Sequence, residues 1–159
     1  MPVPDKVYLS TPSDTSTSAL GVTGEIREHI HATYGKQYYR MVKNTSGSSI
    51  AANLVVVFAS GSSVNCALAG AAAPAATVAG VTQNAIANNE YGWVCCAGDC
   101  KVTANADTAA NSLLSTVGSA GKVDDTSVSG IEHAILGVSP NIIDISVEPT
   151  GTIRLSGLM

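Results

Sequence analysis

The chain has 159 residues, enough for one domain with a real core; 45% of them are apolar and only 13% are charged. That charge content is about half the ~25% usual for soluble domains, so small residues, hydroxyls or bound partners must cover the surface. A net charge of −4, with 8 Lys and Arg scattered and never clustered, lacks the positive field that nucleic acid or an anionic membrane requires.

Met1-Pro2-Val3-Pro4 has neither the basic nor the apolar stretch of a secretory leader, which predicts synthesis in the cytoplasm. The longest apolar run, Cys66 to Val81, is rich in Ala and Gly and broken by Pro74. It falls short of the ~20 apolar residues of a spanning helix. Residues 1–20 read as an extended, partly flexible arm. Val3-Pro4 and Val7-Tyr8-Leu9 suit extended backbone, and Ser10 to Ser18 is almost wholly Ser, Thr, Pro and Asp. The arm either embraces a neighbouring subunit through Tyr8 and Leu9 or is a frayed terminus.

Residues 21–159 read as a single β-rich domain. Val22 to Ile30 and Lys36 to Lys43 predict two strands about a turn at Tyr34-Gly35. Asn44-Thr45-Ser46 has the form of a glycosylation acceptor but sits in a turn cluster and is read as a turn. Leu54 to Phe58 is a continuous apolar run that suits a strand buried on both faces. Ala67 to Ala79 is read as mostly loop, because Gly70 and Pro74 interrupt the helix that alanine favours.

Val78 to Val102 reads as a meander, with a turn at Asn88-Asn89-Glu90 and a second at Ala97-Gly98-Asp99. Leu113-Leu114, Gly121 to Val123 and Glu132 to Val138 predict further short strands. Ile143, Ile145 and Val147 alternate with polar residues, as do Ile153 and Leu155, around Glu148-Pro149-Thr150-Gly151. That pattern predicts a closing hairpin. The expected fold is all-β: a compact antiparallel β-barrel or β-sandwich of about 9–12 short strands, with an extended N-terminal arm and little helix.

Little here reads as reactive chemistry. Cys95 and Cys96 are adjacent and would face opposite sides of a strand. Cys66, Cys95, Cys96 and Cys100 read first as buried free thiols; Cys96 and Cys100, which flank the second turn, are the candidate disulfide. A lone CxxxC spacing lacks the four ligands of structural zinc, so no metal and no cofactor are expected. His29 and His31 share one face of a strand, while His133 beside Glu132 lies far away in sequence. No nucleophile elbow or phosphate loop is present, so no catalytic residue is assigned. Tyr38, Tyr39, Tyr91 and Trp93 would suit either the core or a sugar-stacking platform; Tyr91 and Trp93 are the candidate interface side chains.

The order of these segments resembles the small β-rich head decoration (cement) proteins of tailed bacteriophages, from about Gly24 to Met159. The residues that carry the resemblance are Gly35 to Asn44 (GKQYYRMVKN), Ser49 to Phe58 (SIAANLVVVF) and Gly80 to Ala87 (GVTQNAIA) with Tyr91-Gly92-Trp93-Val94. Glu132 to Val138 (EHAILGV) and Thr152 to Leu155 (TIRL) complete the order. Cys95-Cys96 and the Ser/Thr-rich N-terminal segment depart from it. The resemblance implies a structural virion protein, not an enzyme, on the exterior of an icosahedral capsid. Its expected partners are the major capsid protein and copies of itself in a homotrimer. The alternatives are a host-receptor or carbohydrate-binding β module of a virion, which would need exposed aromatics around Trp93, and a small β-barrel hydrolase.

Overall fold

The computed structural model describes residues 11–70, 77–116, 120–125, 137–141, 143, 146–148 and 150–155. Within them the protein is all-β. The strands are β1 (Ile26–His31), β2 (Gly35–Asn44), β3 (Val55–Phe58), β4 (Asn65–Leu68), β5 (Val78–Thr82), β6 (Tyr91–Thr103), β7 (Leu113–Thr116), β8 (Val123–Asp124), β9 (Gly137–Val138) and β10 (Thr150–Leu155). They join in one 10-stranded sheet of order β1-β2-β4-β3-β5-β6-β10-β9-β7-β8. β2 and β4 run parallel, so the sheet is mixed rather than antiparallel throughout. β2 also pairs with β6, from Tyr38↔Ala97 to Lys43↔Tyr91, so β2, β4, β3, β5 and β6 close on themselves. Closure removes the free edges of those strands. β1 is left at one end of the sheet and β8, short and buried, at the other.

Several elements follow from local sequence. Gly35, at φ 68°, turns β1 back on β2 with His31 opposite Gly35, a conformation that costs glycine little. In β3, Val55 enters one apolar cluster and Val56 another, as a run buried on both faces requires. β4 was not legible: Asn65–Leu68 is short and follows a Ser/Gly turn, and its ends lean on β2 and β3 for their pairing.

The second turn expected in the meander does not form. β6 runs unbroken for 13 residues through Ala97-Gly98-Asp99. Tyr38 faces Ala97 and Tyr39 faces Cys95, so Cys96 is an extra residue, a β-bulge that bends the strand without reversing it. Gly98 then takes φ 95°, and a Cβ there would lie 2.4 Å from the Lys36 carbonyl oxygen. Beside it the buried Gln37 amide donates to the Asp99 carbonyl at 2.5 Å and accepts the Tyr39 hydroxyl at 3.1 Å. The bend lets one strand serve several partners: β2 and β5 along its first half, β10 from Gly98 to Thr103.

The closing hairpin is also corrected. Among the described residues β10 pairs with β6 and β9, and Ile143 bridges elsewhere. Ile143 is buried and bridges to Thr108, whereas Val147 sits in a turn and is 83% exposed. Ile145 lies outside the described residues. Alternation prescribes which side chains are buried but not which strand is the neighbour, and β6 offered a longer edge. Arg154 reinforces that choice with a two-pronged ion pair to Asp99, at 2.8 and 3.1 Å.

Apolar side chains form a larger cluster, with Tyr39, Met41, Trp93, Cys95, Cys100 and Ile153, and a smaller one around Val42, Val56, Ile86 and Val94. The bend at Gly98 yields a direct test. Gly98→Ala is expected to cost about 2 kcal/mol or more in urea unfolding, since it adds a backbone clash to an unfavourable φ. Gly47→Ala, at φ 86° with nothing within 4 Å of the new Cβ, should cost only about 1 kcal/mol.

Candidate functional site

β6 carries the aromatic and thiol chemistry noted in the sequence, and the sheet turns most of it inward. Trp93 is 3% exposed, and the Arg27 guanidinium lies 4.6 Å from the ring centroid. Among the described residues its indole N–H finds no acceptor. Tyr39 is likewise buried, and that burial raises its hydroxyl pKa. Tyr38 and Tyr91 are half-buried, and each ring already faces a cation of its own chain: Lys36 at 5.7 Å and Lys43 at 5.4 Å. Such cation–π contacts occupy ring faces that a sugar would need. The four aromatics therefore do not form one exposed platform. Tyr8 and Leu9 lie outside the described residues.

All four cysteines are free and buried. The Cys96 thiol donates to the Tyr38 carbonyl at 3.3 Å, at the bulge, and so turns away from Cys100. Cys100 instead shares the larger core cluster with Cys95, which corrects the candidate Cys96–Cys100 disulfide. The bulge is the physical reason: it shifts the facing of Cys96 relative to the rest of the strand. Burial pushes the Cys66 thiol up to about 12 and that of Cys96 to about 11. Cys100 is held well above the ordinary thiol range by its hydrogen bond with Cys95 and by burial. Raised in this way, the Cys66, Cys96 and Cys100 thiols are weaker nucleophiles than a free cysteine at neutral pH.

His29 and His31 do share a face of β1, with ring centroids 6.3 Å apart. The chemistry nonetheless excludes them as a ready metal pair. His31 Nδ1 accepts the backbone N–H groups of Thr33 at 3.0 Å and Tyr34 at 3.3 Å. That assigns the neutral ring's proton to Nε2, leaving a donor where a metal needs a lone pair. His29 packs edge-on against Tyr39 at 6.0 Å. Among the described residues no group of three or more His, Cys, Asp or Glu is placed to hold a metal. His133 and Glu132 lie outside them.

Two adjoining hollows, of about 400 and about 640 Å³, flank this face. Both are walled by Thr11, Pro12, His29 and Tyr39; Trp93 lines the smaller and His31 and Tyr34 the larger. Their outer wall is the extended segment before β1. Ser16 and Tyr91 exchange backbone hydrogen bonds at 3.1 and 2.8 Å, and the Asn84 amide donates to the Pro12 carbonyl at 3.4 Å. Part of the expected arm is thus seated on its own domain.

Asn44 is fully buried. Its amide donates to the carbonyls of Ser48 and Ile86, both at 2.8 Å, and its oxygen accepts from Ser46. It holds a turn and offers no nitrogen to a glycan, as the turn reading had it. Gln37 was missed. The available signal was its place two residues before Tyr39 and four before Met41, on the face those residues bury.

Compared with protein-family models, curated proteins and solved structures, the chain matches none.

The raised thiol pKa values set a pH dependence. The folded state keeps protons that the unfolded chain releases near pH 9, so this contribution is complete below pH 9 and is lost as pH rises toward 11–12. Urea midpoints should therefore fall between about pH 9 and pH 12, and less steeply in Cys66→Ala and Cys96→Ala. A thiol reagent at pH 8 should label the native protein only after unfolding.

Proposed function

We propose that this is a capsid decoration protein, a structural and non-enzymatic component of a bacteriophage particle. It binds the outer surface of an icosahedral shell, self-associates as a trimer and clamps neighbouring copies of the major capsid protein. Beside the resemblance in segment order, one observation carries this reading. The side chains best suited to catalysis or ligand stacking, Trp93, Tyr39 and the thiols, are buried in the core. Among the described residues the large apolar side chains left exposed are isolated ones, Val22, Ile26, Ile30, Leu113 and Val147. Such a surface works by extensive contact and not by a reactive centre.

Low charge suits the same role, since a clamp that spans large areas gains from burying few ions. The net charge of −4 suits the outer face of a shell better than the side facing packaged DNA. Stabilisation follows from mass action: a protein that binds only the assembled shell lowers the free energy of that state and opposes bursting. The carbohydrate-binding alternative loses its footing with Trp93 buried.

Purified particles should carry the protein at high copy number, and particles made without it should release DNA at lower temperature and in low salt. Equal robustness with and without the protein overturns the stabilising role. Absence from particles overturns the location as well.

A further inference from the structure

Closure of β2, β4, β3, β5 and β6 spends the edges of those strands, and β8 is buried. β1 is the exposed end. Among the described residues it pairs only with β2, in unbroken register from Ile26↔Arg40 to His31↔Gly35. It contains no proline, no lysine and no bulge, and its two charged side chains are neutralised within the chain, Arg27 by Glu25 and Glu28 by Lys36. Its burial alternates strictly, with Ile26 39% and Ile30 65% exposed on the same face as Glu28.

We propose that β1 is a two-fold self-association strand, onto which a second copy of this chain adds its own β1 in antiparallel register. The backbone indicates the register. Met41 N–H donates to the Glu25 carbonyl, so by alternation Arg27, His29 and His31 exchange bonds with β2. The N–H and C=O groups of Ile26, Glu28 and Ile30 then point away from β2. In a two-fold antiparallel pair, outward groups meet outward groups when the axis passes through Glu28. That placement sets Ile26 against the second copy's Ile30, and Ile30 against its Ile26. Moving the axis to His29 would instead oppose Ile30 to a glutamate. The strand is therefore complementary to itself, which a two-fold contact requires and a heterologous strand would not predict.

The one unfavourable element is Glu28 facing its own copy, since like charges opposite each other destabilise a sheet pair. Each Glu28 is already ion-paired to its own Lys36 at 2.8 Å. Strands of 6 residues bury less than a standard interface, so the dimer is a concentration-dependent one. The contact is separate from the trimer proposed on the shell and does not rest on the capsid reading; free protein tests it, and a free protein that sediments as a trimer in place of a dimer overturns it.

Sedimentation of the full chain should show a monomer–dimer equilibrium. Ile30→Lys should abolish it while leaving circular dichroism and thermal midpoint in place, and Glu28→Gln should tighten it about two- to fivefold. Oxidation should cross-link Glu28→Cys protein into dimers, because facing residues at the axis are about 5.5 Å apart at Cα, within disulfide range. Ile30→Cys alone should stay uncrosslinked, its two copies lying about 13 Å apart. The native thiols are buried and do not compete. A protein monomeric at all concentrations overturns the proposal. So does self-association that Ile30→Lys leaves unchanged, or cross-linking through Ile30→Cys in place of Glu28→Cys.

Discussion

The architecture depends on a close approach between two backbones. At Gly98 the Lys36 carbonyl stands where a side chain would begin, 2.4 Å from the Cβ position. Only glycine leaves room, and its left-handed backbone turns β6 after the bulge at Cys96. The Gln37 amide closes the same corner from β2 by donating to the Asp99 carbonyl. Because the strand bends here and continues, β6 holds β2, β5 and β10 together. A strand that ended at Ala97 would leave β10, β9, β7 and β8 without their attachment to the rest of the sheet.

That corner also decides the state of the chemistry on β6. The bulge turns Cys96 onto the Tyr38 carbonyl and away from Cys100, while Cys95 and Cys100 enter the core beside Tyr39. Burial then raises the Cys96 thiol, and the hydrogen bond with Cys95 together with burial raises that of Cys100. Trp93 is covered on one side by Arg27, whose guanidinium is ion-paired to Glu25 at 3.1 Å. Residues that suggested reactivity are packing residues, and the polar groups among them, Gln37 and Asn44, hold backbone corners.

Closing the inner strands has a consequence at the surface. A sheet whose members pair in a ring exposes few edges, and among the described residues β1 is the exposed end. Arg27, His29 and His31 form the half-buried face of β1; Ile26 and Glu28 also line the smaller hollow beside Thr11 and Pro12, and Ile30 is 65% exposed. On the capsid reading proposed above, the chain's low charge keeps the desolvation cost of protein contact small.

Periodicity and turn residues alone determined the all-β class, the β1–β2 hairpin at Gly35, the doubly buried β3 and the short strands near Leu113-Leu114 and Val123, because each depends on neighbours close in sequence. They also marked the Asn44 turn and the shared face of His29 and His31. What they left open needs distant partners. The turn chemistry of Ala97-Gly98-Asp99 is the same whether the chain reverses or bends, and only the Lys36 and Gln37 backbone selects the bend. The alternation of Ile143 to Val147 marks a strand-like segment, yet β10 takes its place on β6 because Gly98–Thr103 offered an edge that no local pattern reveals. Local sequence states which face of a strand is apolar; only the tertiary structure decides which edge it meets, because backbone hydrogen bonds carry no sequence label.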